Sequence, residues 1–330
     1  MSAAVSWGLL STARINGALV AAARESELAD VVAVASRDDA RAREYAGLLD
    51  IPRAHGSYEA LLADPAVDAV YVSLPNGLHV DWTVRALQAG KHVLCEKPMD
   101  PSPQAVTRAF DVAEREGLVL SEGYMWRHHP QARRLAELLA DGVVGDVRLV
   151  RAWFSFTLAD RRDPRLDPAL DGGSLLDVGC YCVSGIRLAV GREPVSATAE
   201  VVAGATGVDL RLAGVLRFDG DVLAVLDCGF DLPARHGLEI VGSRGRLALA
   251  DPWHGREPQI SLEVDGTTSL VDTGSADPYL LELDDVSAAI RDRRDPLLGR
   301  ADAVGQAHAI AALLRSAAER RAAAVTQPAP

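Results

Sequence analysis

The sequence predicts a two-domain α/β protein: an N-terminal doubly wound parallel sheet, then an α+β domain built on a large, mostly antiparallel open sheet. Two observations predict it. Up to about residue 123, short apolar β-type runs alternate with helix-period segments, the pattern of a parallel sheet covered on both faces. Beyond Pro194 strands dominate, joined by turns such as Phe218-Asp219-Gly220-Asp221. A length of 330 residues fits roughly two domains, expected at 1–123 and 124–330, with a C-terminal helix able to pack back on the first.

In the first domain, strands are expected at 5–10, 31–36, 69–74, 92–96 and 119–121. Helices at 15–25, 38–49, 80–89 and 104–116 fill the gaps, and a helical turn at 58–62 stops before Asp64-Pro65. In the second, a helix at 130–140, a strand at 147–156 and an apolar helix at 175–190 come first. Strands follow at 195–202, 208–218, 222–230, 238–241, 246–249, 260–264 and 268–271, read as an antiparallel meander. Helices at 279–293 and 303–321 close the chain, and the Ala/Pro tail after Ala322 reads as frayed.

Composition narrows the function. A chain that is 48% hydrophobic and 24% charged is a soluble globular protein, and its net charge of −12 disfavours a nucleic-acid or anionic-membrane partner. Cys95, Cys180, Cys182 and Cys228 lack the paired spacing of a disulfide framework or a zinc site, so free thiols and no metal are expected. No apolar run approaches the roughly 20 residues of a membrane helix, and the opening residues show no basic leader with a cleavage site. The expected location is the cytoplasm.

Three segments carry candidate chemistry. The first strand runs into Gly8-Leu9-Leu10-Ser11-Thr12-Ala13-Arg14-Ile15, where a dinucleotide-binding fold needs a tight turn and a helix N-terminus aimed at pyrophosphate. Gly8 alone survives from the three-glycine pattern, while Ser11 and Thr12 offer hydroxyls and N–H groups instead. A plain turn capped by Ser11 or Thr12 fits equally well. The second strand ends Ala35-Ser36-Arg37, where an acid would meet the ribose of NAD and a base the 2′-phosphate of NADP. Arg37, with Arg41 one helical turn on, favours NADP over NAD; two solvated arginines are the other reading, and Asp38 or Asp39 can cap the helix or face a ribose. The third segment pairs Leu74-Pro75-Asn76-Gly77-Leu78-His79 with Gly90-Lys91-His92-Val93-Leu94-Cys95-Glu96-Lys97-Pro98, both at the carboxyl edge of the sheet.

That order of motifs, followed by Gly172-Gly173-Ser174-Leu175-Leu176-Asp177-Val178-Gly179-Cys180-Tyr181, resembles the glucose-fructose oxidoreductase, inositol dehydrogenase and rhizopine-catabolism (Gfo/Idh/MocA) family over essentially the whole chain. Gly123-Tyr124-Met125-Trp126-Arg127 and His128-His129-Pro130-Gln131 look most like the branch with dimeric dihydrodiol dehydrogenase and D-xylose dehydrogenase. Tyr181 stands where inositol dehydrogenase relatives carry a histidine, which makes an inositol substrate less expected.

The resemblance implies a Rossmann domain and an NAD(P)-dependent oxidoreductase of sugars or polyols, of aldose 1-dehydrogenase or ketosugar reductase type. It implies Lys97, Tyr181 and Asp177 as catalytic residues and a cis Lys97–Pro98 bond. Gly8, Ser11, Thr12, Ala13, Ile15, Ser36, Arg37, Arg41, Leu74, Pro75, Asn76, His79, Glu96, Lys97, Trp126 and Arg127 become cofactor candidates. Trp126, Arg127, Trp253 and Tyr279 join Lys97, Asp177 and Tyr181 around the substrate, the last two aromatics as second-domain pocket walls. Tyr181 as a buried aromatic, Asp177 as a loop residue, Lys97 as an exposed structural lysine and His79 as a helix cap are the structural alternatives. His128 and His129 are assigned structural or interface roles, and Cys180 and Cys182 read as packing residues. The family also implies a homodimer or homotetramer. Two other readings come with the fold: a non-catalytic dinucleotide- or sugar-sensing regulator, and an NAD-dependent glycosidase.

Overall fold

Strand β1 (Val5–Leu9) leads into α1 (Asn16–Glu25), and the alternation continues through β2 (Ala29–Ala35), α2 (Asp39–Leu48), β3 (Arg53–His55), α3 (Tyr58–Leu62), β4 (Ala69–Val72), α4 (His79–Gln88), β5 (His92–Glu96), α5 (Pro103–Glu116) and β6 (Leu120–Gly123). A computed structural model describes residues 4–326. The first sheet has the order β3-β2-β1-β4-β5-β6, every pair parallel. All four residues of β4 are buried, as a strand covered on both faces requires. The order reverses between β1 and β4, and open α/β sheets bind ligands outside the carboxyl ends at such a point. Strand β3 is too short for its alternation to show in the sequence; its register with Ala33–Ala35 of β2 is what makes it a strand.

The second sheet is mixed. After α6 (Pro130–Ala140), β7 (Val147–Thr157) and α7 (Cys180–Val190) come β8 (Ser196–Ala203), β9 (Asp209–Arg217), β10 (Leu223–Gly229), β11 (Asp231–Gly242), β12 (Gly245–Leu249), β13 (Gln259–Val264) and β14 (Thr267–Asp272). Helices α8 (Pro278–Asp292) and α9 (Arg300–Glu319) and a last strand, β15 (Ala323–Ala324), follow. The order is β14-β13-β12-β11-β7-β10-β9-β8-β15. This is not a simple meander, because β7 is inserted between β11 and β10 and pairs parallel with β10. Along β10 the inward Ala224, Leu226 and Cys228 are buried while Leu223 and Val225 stay exposed, the period of a sheet covered on one face.

The chain divides into two units, and the division is not a single cut. One runs through Asp100 and takes in Gln104–Met125 and Tyr279–Ala303; the other holds Pro101–Pro103, Trp126–Pro278 and the chain from Val304 on. Helix α8 therefore belongs with the first sheet. Its Leu283 and Val286 lie in one buried cluster with Trp7, Leu9 and Tyr71, and Trp7 Nε1 donates to Ser287 Oγ at 3.1 Å. Helix α9 continues into the second unit, where Gln306 Nε2 donates to the Cys180 carbonyl at 2.7 Å and the Ala199 amide to Ser316 Oγ at 3.0 Å.

Two expectations change here. The chain after Ala322 is not frayed throughout: Ala323 and Ala324 pair with β8, and the Val325 amide donates to the Val195 carbonyl at 2.9 Å. The rest of that expected tail, residues 327–330, lies outside the described residues. Among the described residues, the run Pro168–Val190 is long and apolar enough to cross a membrane, against the expectation of no such run. In the most apolar window of that run, 83% is buried inside the protein, as in a core helix.

Candidate active site

The first unit gathers its candidates at the carboxyl edge of the parallel sheet. After β1 the chain turns sharply, and Ser11 lies inside that turn, 7% exposed. Its hydroxyl donates to the Ser73 carbonyl at 2.9 Å, meets Ser73 Oγ at 2.8 Å and accepts from the Ala13 amide at 3.0 Å. Ser11 thus ties the turn to the end of β4, and its hydroxyl is engaged by protein rather than offered to phosphate as the sequence suggested. Tyr45 of α2 donates to the Ala13 carbonyl at 2.7 Å from the other side. Gly8 is also needed for packing: a Cβ there would come within 2.8 Å of Leu61 Cδ2. Helix α1 starts at Asn16 with no side-chain cap on Ile15 and no acid in its first turn. Its positive end therefore suits an anion, and Thr12, Ala13 and Ile15 lie there.

At the end of β2 the chain carries no ribose-binding acid in line with the strand. Ser36 is buried and accepts from the Asp38 amide at 3.3 Å; Asp38 caps α2 through the Arg41 amide at 3.0 Å, and Asp39 pairs with Arg43. Both aspartates are therefore occupied locally, and Arg37 and Arg41 stay exposed. Burial raises the Tyr58 phenol above its ordinary value, and the charges of Arg37 and then Arg41 pull it down again, so both guanidinium groups lie near that ring.

Beyond β4, the 3₁₀ turn Asn76–Leu78 delivers His79 into the interior, 1% exposed. His79 Nδ1 is 2.9 Å from the Pro98 carbonyl oxygen and Nε2 is 2.6 Å from that of Leu74. His79 thereby braces the Leu74-Pro75 and Lys97-Pro98 segments, with a ring nitrogen within hydrogen-bond distance of a carbonyl in each. The Lys97–Pro98 bond is cis. Lys97 leaves the end of β5 half-buried, its amide donating to Glu96 Oε2 at 3.1 Å, while Tyr71 donates to Glu96 Oε1. The Tyr71 phenol is pushed well up, first by burial and then by the Glu96 charge.

In the second unit, Leu175–Gly179 forms a turn of π-helix that runs directly into α7. Such widened turns occur mostly as single insertions and often at functional sites. Asp177 lies within it and Tyr181 just beyond. Arg165 Nε donates to Asp177 Oδ2 at 2.7 Å, with Asp163 3.4 Å from the same guanidinium. Burial lowers the Arg165 pKa, but the Asp177 and Asp163 charges outweigh it and leave the net shift upward. Arg165 was not singled out in the sequence, and nothing in Asp163-Pro164-Arg165 signals it.

Tyr181 is 8% exposed and packs edge-on to Phe154, centroids 5.6 Å apart. Trp253 is fully buried beneath them, stacked on Phe154 at 6.4 Å and edge-on to Trp126 at 5.3 Å, with its Nε1 donating to the Trp153 carbonyl at 3.2 Å. It supports the aromatic surface rather than lining a pocket, which corrects its assignment as a wall. Trp126 is 1% exposed, and the half-buried Arg127 guanidinium lies 5.7 Å from its ring centroid. Tyr279, expected as a second-domain wall, belongs instead to the first unit, where it is partly buried against the core around Trp7. His128 and His129 are buried, His129 capping α6 through the Gln131 amide at 3.1 Å. The four cysteines are free and buried. Among the described residues no group of three or more His, Cys, Asp and Glu side chains could hold a metal ion.

A parallel sheet with its switch point at β1 and β4, a helix start open to phosphate and a lysine at the end of β5 define a nicotinamide-dinucleotide oxidoreductase domain. The model of the oxidoreductase family with an NAD-binding Rossmann fold matches residues 8–124, and that of the GFO/IDH/MocA C-terminal domain matches 132–248. The chain is 40% identical over 316 residues to D-xylose 1-dehydrogenase (NADP(+)) 2 of Haloferax volcanii, covering 94% of this chain and 97% of the relative. It is 35% identical over 250 residues to trans-1,2-dihydrobenzene-1,2-diol dehydrogenase of Xenopus laevis, covering 74% and 75%. A 3-ketoreductase from Actinomadura kijaniata, solved with NADP and TDP-benzene, superposes with a TM-score of 0.90 at 30% identity, covering 95% of this chain and 98% of that one. The chain belongs to the Gfo/Idh/MocA family and is an NAD(P)-dependent oxidoreductase.

Proposed function

We propose that the chain moves a hydride between a nicotinamide and a hydroxyl-bearing carbon of a sugar or related polyol, as an aldose 1-dehydrogenase or a ketosugar reductase, with NADP preferred. One observation carries the catalytic assignment. The Actinomadura kijaniata reductase has been solved with one lysine and one tyrosine replaced in turn, and those positions are as far apart in its sequence as Lys97 and Tyr181 are here. Similarity to a D-xylose dehydrogenase over nearly the whole chain supports an aldose as the substrate class.

The residues present suit the dinucleotide. Thr12, Ala13 and Ile15 at the start of α1 would hold the pyrophosphate, Arg37 and Arg41 the adenosine 2′-phosphate, and Leu74, Pro75, Asn76 and Glu96 the nicotinamide end. When bound, it supplies the hydride acceptor or donor at its nicotinamide C4. The chain's own residues manage the proton. Tyr181 accepts the hydroxyl proton as the alcohol is oxidised and returns it in reduction. A phenol titrates at about 10 in water, and the Lys97 ammonium serves to make that transfer feasible near neutrality. Asp177, fixed by Arg165, orients the substrate hydroxyl. Arg127 contacts the substrate, with Trp126 and Trp253 supporting the aromatic surface beneath.

Exposed Val215 and Val225, opposite each other in register, and Leu223 two residues along the same face support self-association of the open sheet into a homodimer or homotetramer. A cytoplasmic location remains part of this reading. Following absorbance of the reduced nicotinamide with NADP or NAD and a panel of aldoses tests the assignment. Net cofactor reduction supports it; glycoside cleavage without net reduction points to a glycosidase, and binding with neither points to a sensor.

A further inference from the structure

We propose that His236, Asp251 and His254 form a second polar subsite, next to Tyr181, that takes hydroxyl groups of a polyol substrate remote from the reacting carbon. The proposal rests on the sugar or polyol reading above.

The group is built on the second sheet. His236 of β11 stands opposite Phe154 of β7, and Asp251 and His254 lie in the turn that follows β12. The Asp251 side chain is 3% exposed. Its Oδ1 accepts from the His254 amide at 3.3 Å and bonds His254 Nδ1 at 3.1 Å, its Oδ2 accepts from the Arg256 amide at 3.3 Å, and His236 Nε2 lies 3.3 Å from Oδ1 as an ion-pair contact. Gly255 closes the turn at φ +67°, with His129 so near that a Cβ would come within 2.6 Å of Nε2. Burial raises the Asp251 carboxyl, but the His254 bond and the neighbouring imidazoles outweigh it and hold the group below its usual value.

An ionised carboxylate only accepts, which places a hydrogen on His254 Nδ1. The outer nitrogens, His254 Nε2 and His236 Nδ1, have no hydrogen-bond partner among the described residues. The rings are 5.7 Å apart and about one-third exposed, at 30% and 28%. Phe154 lies 5.6 Å from His254, 6.2 Å from His236 and 5.6 Å from Tyr181, so one phenyl ring joins the imidazole pair to the phenol. Two polar imidazole edges beside an apolar ring match a polyol, which presents hydroxyl groups and a C–H face together. Closing the turn asks for less: the two backbone amides on Asp251 do that alone, without partly exposed imidazoles.

The test measures turnover of D-xylose with NADP, and D-xylose binding by tryptophan fluorescence, for the wild type, His254→Phe, His236→Phe and His254→Gln. The expected result is KM and Kd raised on the order of tenfold in each phenylalanine variant, the loss of about one good hydrogen bond. The kcat, NADP affinity and Tm then stay close to wild type, and His254→Gln recovers part of the loss. Unchanged KM and Kd overturn the subsite while leaving the redox reading intact. Histidine-dependent binding without turnover keeps the subsite and overturns the reading of D-xylose as a substrate. No binding and no turnover overturn both, and failure of both phenylalanine variants to fold assigns the group to the frame and overturns it as a subsite.

Discussion

His79 Nδ1 lies 2.9 Å from the carbonyl oxygen of Pro98, and this bond, with its counterpart to Leu74, couples the end of β4 to the segment that carries Lys97. The sequence placed His79 beside the nicotinamide or on a helix cap; the structure gives it the work of positioning. His79→Leu leaves two buried carbonyls without their partner, at about 1–3 kcal/mol each. The expected outcome is a lower midpoint in urea unfolding and a lower kcat, with less change in KM. Wild-type stability would remove the bracing role.

Arg37 and Arg41 set the adenosine end. Arg37→Asp replaces the charge that meets a 2′-phosphate with one that repels it, so NADP binding should weaken by at least about tenfold more than NAD binding. Titration of both dinucleotides by fluorescence checks this. An equal loss for both returns Arg37 to the solvated surface.

Arg165 holds Asp177 at 2.7 Å. Arg165→Ala removes the guanidinium that donates to Asp177, whose side chain is 15% exposed. We expect a raised KM for D-xylose and a shifted pH profile of kcat/KM, with Arg165→Lys restoring only part, since an ammonium cannot reproduce the guanidinium geometry. Wild-type kinetics in both variants would detach Asp177 from Arg165 functionally.

Glu282 of α8 is 1% exposed, and its Oε1 has no hydrogen-bond partner among the described residues. Burial, then the Glu96 and Asp285 charges, raise its carboxyl well above the ordinary value. A carboxyl whose pKa is higher folded than unfolded binds more protons in the native state, so stability falls as pH rises above the unfolded value of about 4.3. Glu282→Gln removes this dependence. Its unfolding free energy should exceed that of wild type at pH 8 and approach it at pH 4; a variant less stable at both would show that the carboxylate is satisfied in the fold.

Much of the first unit was legible because its strands are near-continuous apolar runs: 92–96 was placed without error, and the short turn at 58–62 likewise. The second sheet's strands were legible one by one from their alternation, but its order was not. Nothing local in 147–156 says that this strand will lie between two others far downstream. Helix α8 was placed at 279–293, and a C-terminal helix packing back on the first domain was expected, but which of the two closing helices does so was not legible. Within the site, Lys97, Asp177 and Tyr181 stood out through motif order, whereas the partners that fix them did not. Arg165 lies in a segment with no pattern, and Phe154 is far from Tyr181 in sequence. Gly8 and Ser11 were read from the turn they occupy and Trp253 from the family resemblance; hydrogen bonds, close approach and burial add the packing each of them does.

The most direct measurement is the rate of nicotinamide reduction after mixing NADP and D-xylose with wild type, Lys97→Ala and Tyr181→Phe, with NADP affinity measured on each. The account predicts reduction by the wild type and a fall of roughly 100- to 10,000-fold in both variants, the range for loss of a proton-transferring group, with NADP still bound. Full-rate reduction by Tyr181→Phe across the pH range, or by Lys97→Ala, would contradict it.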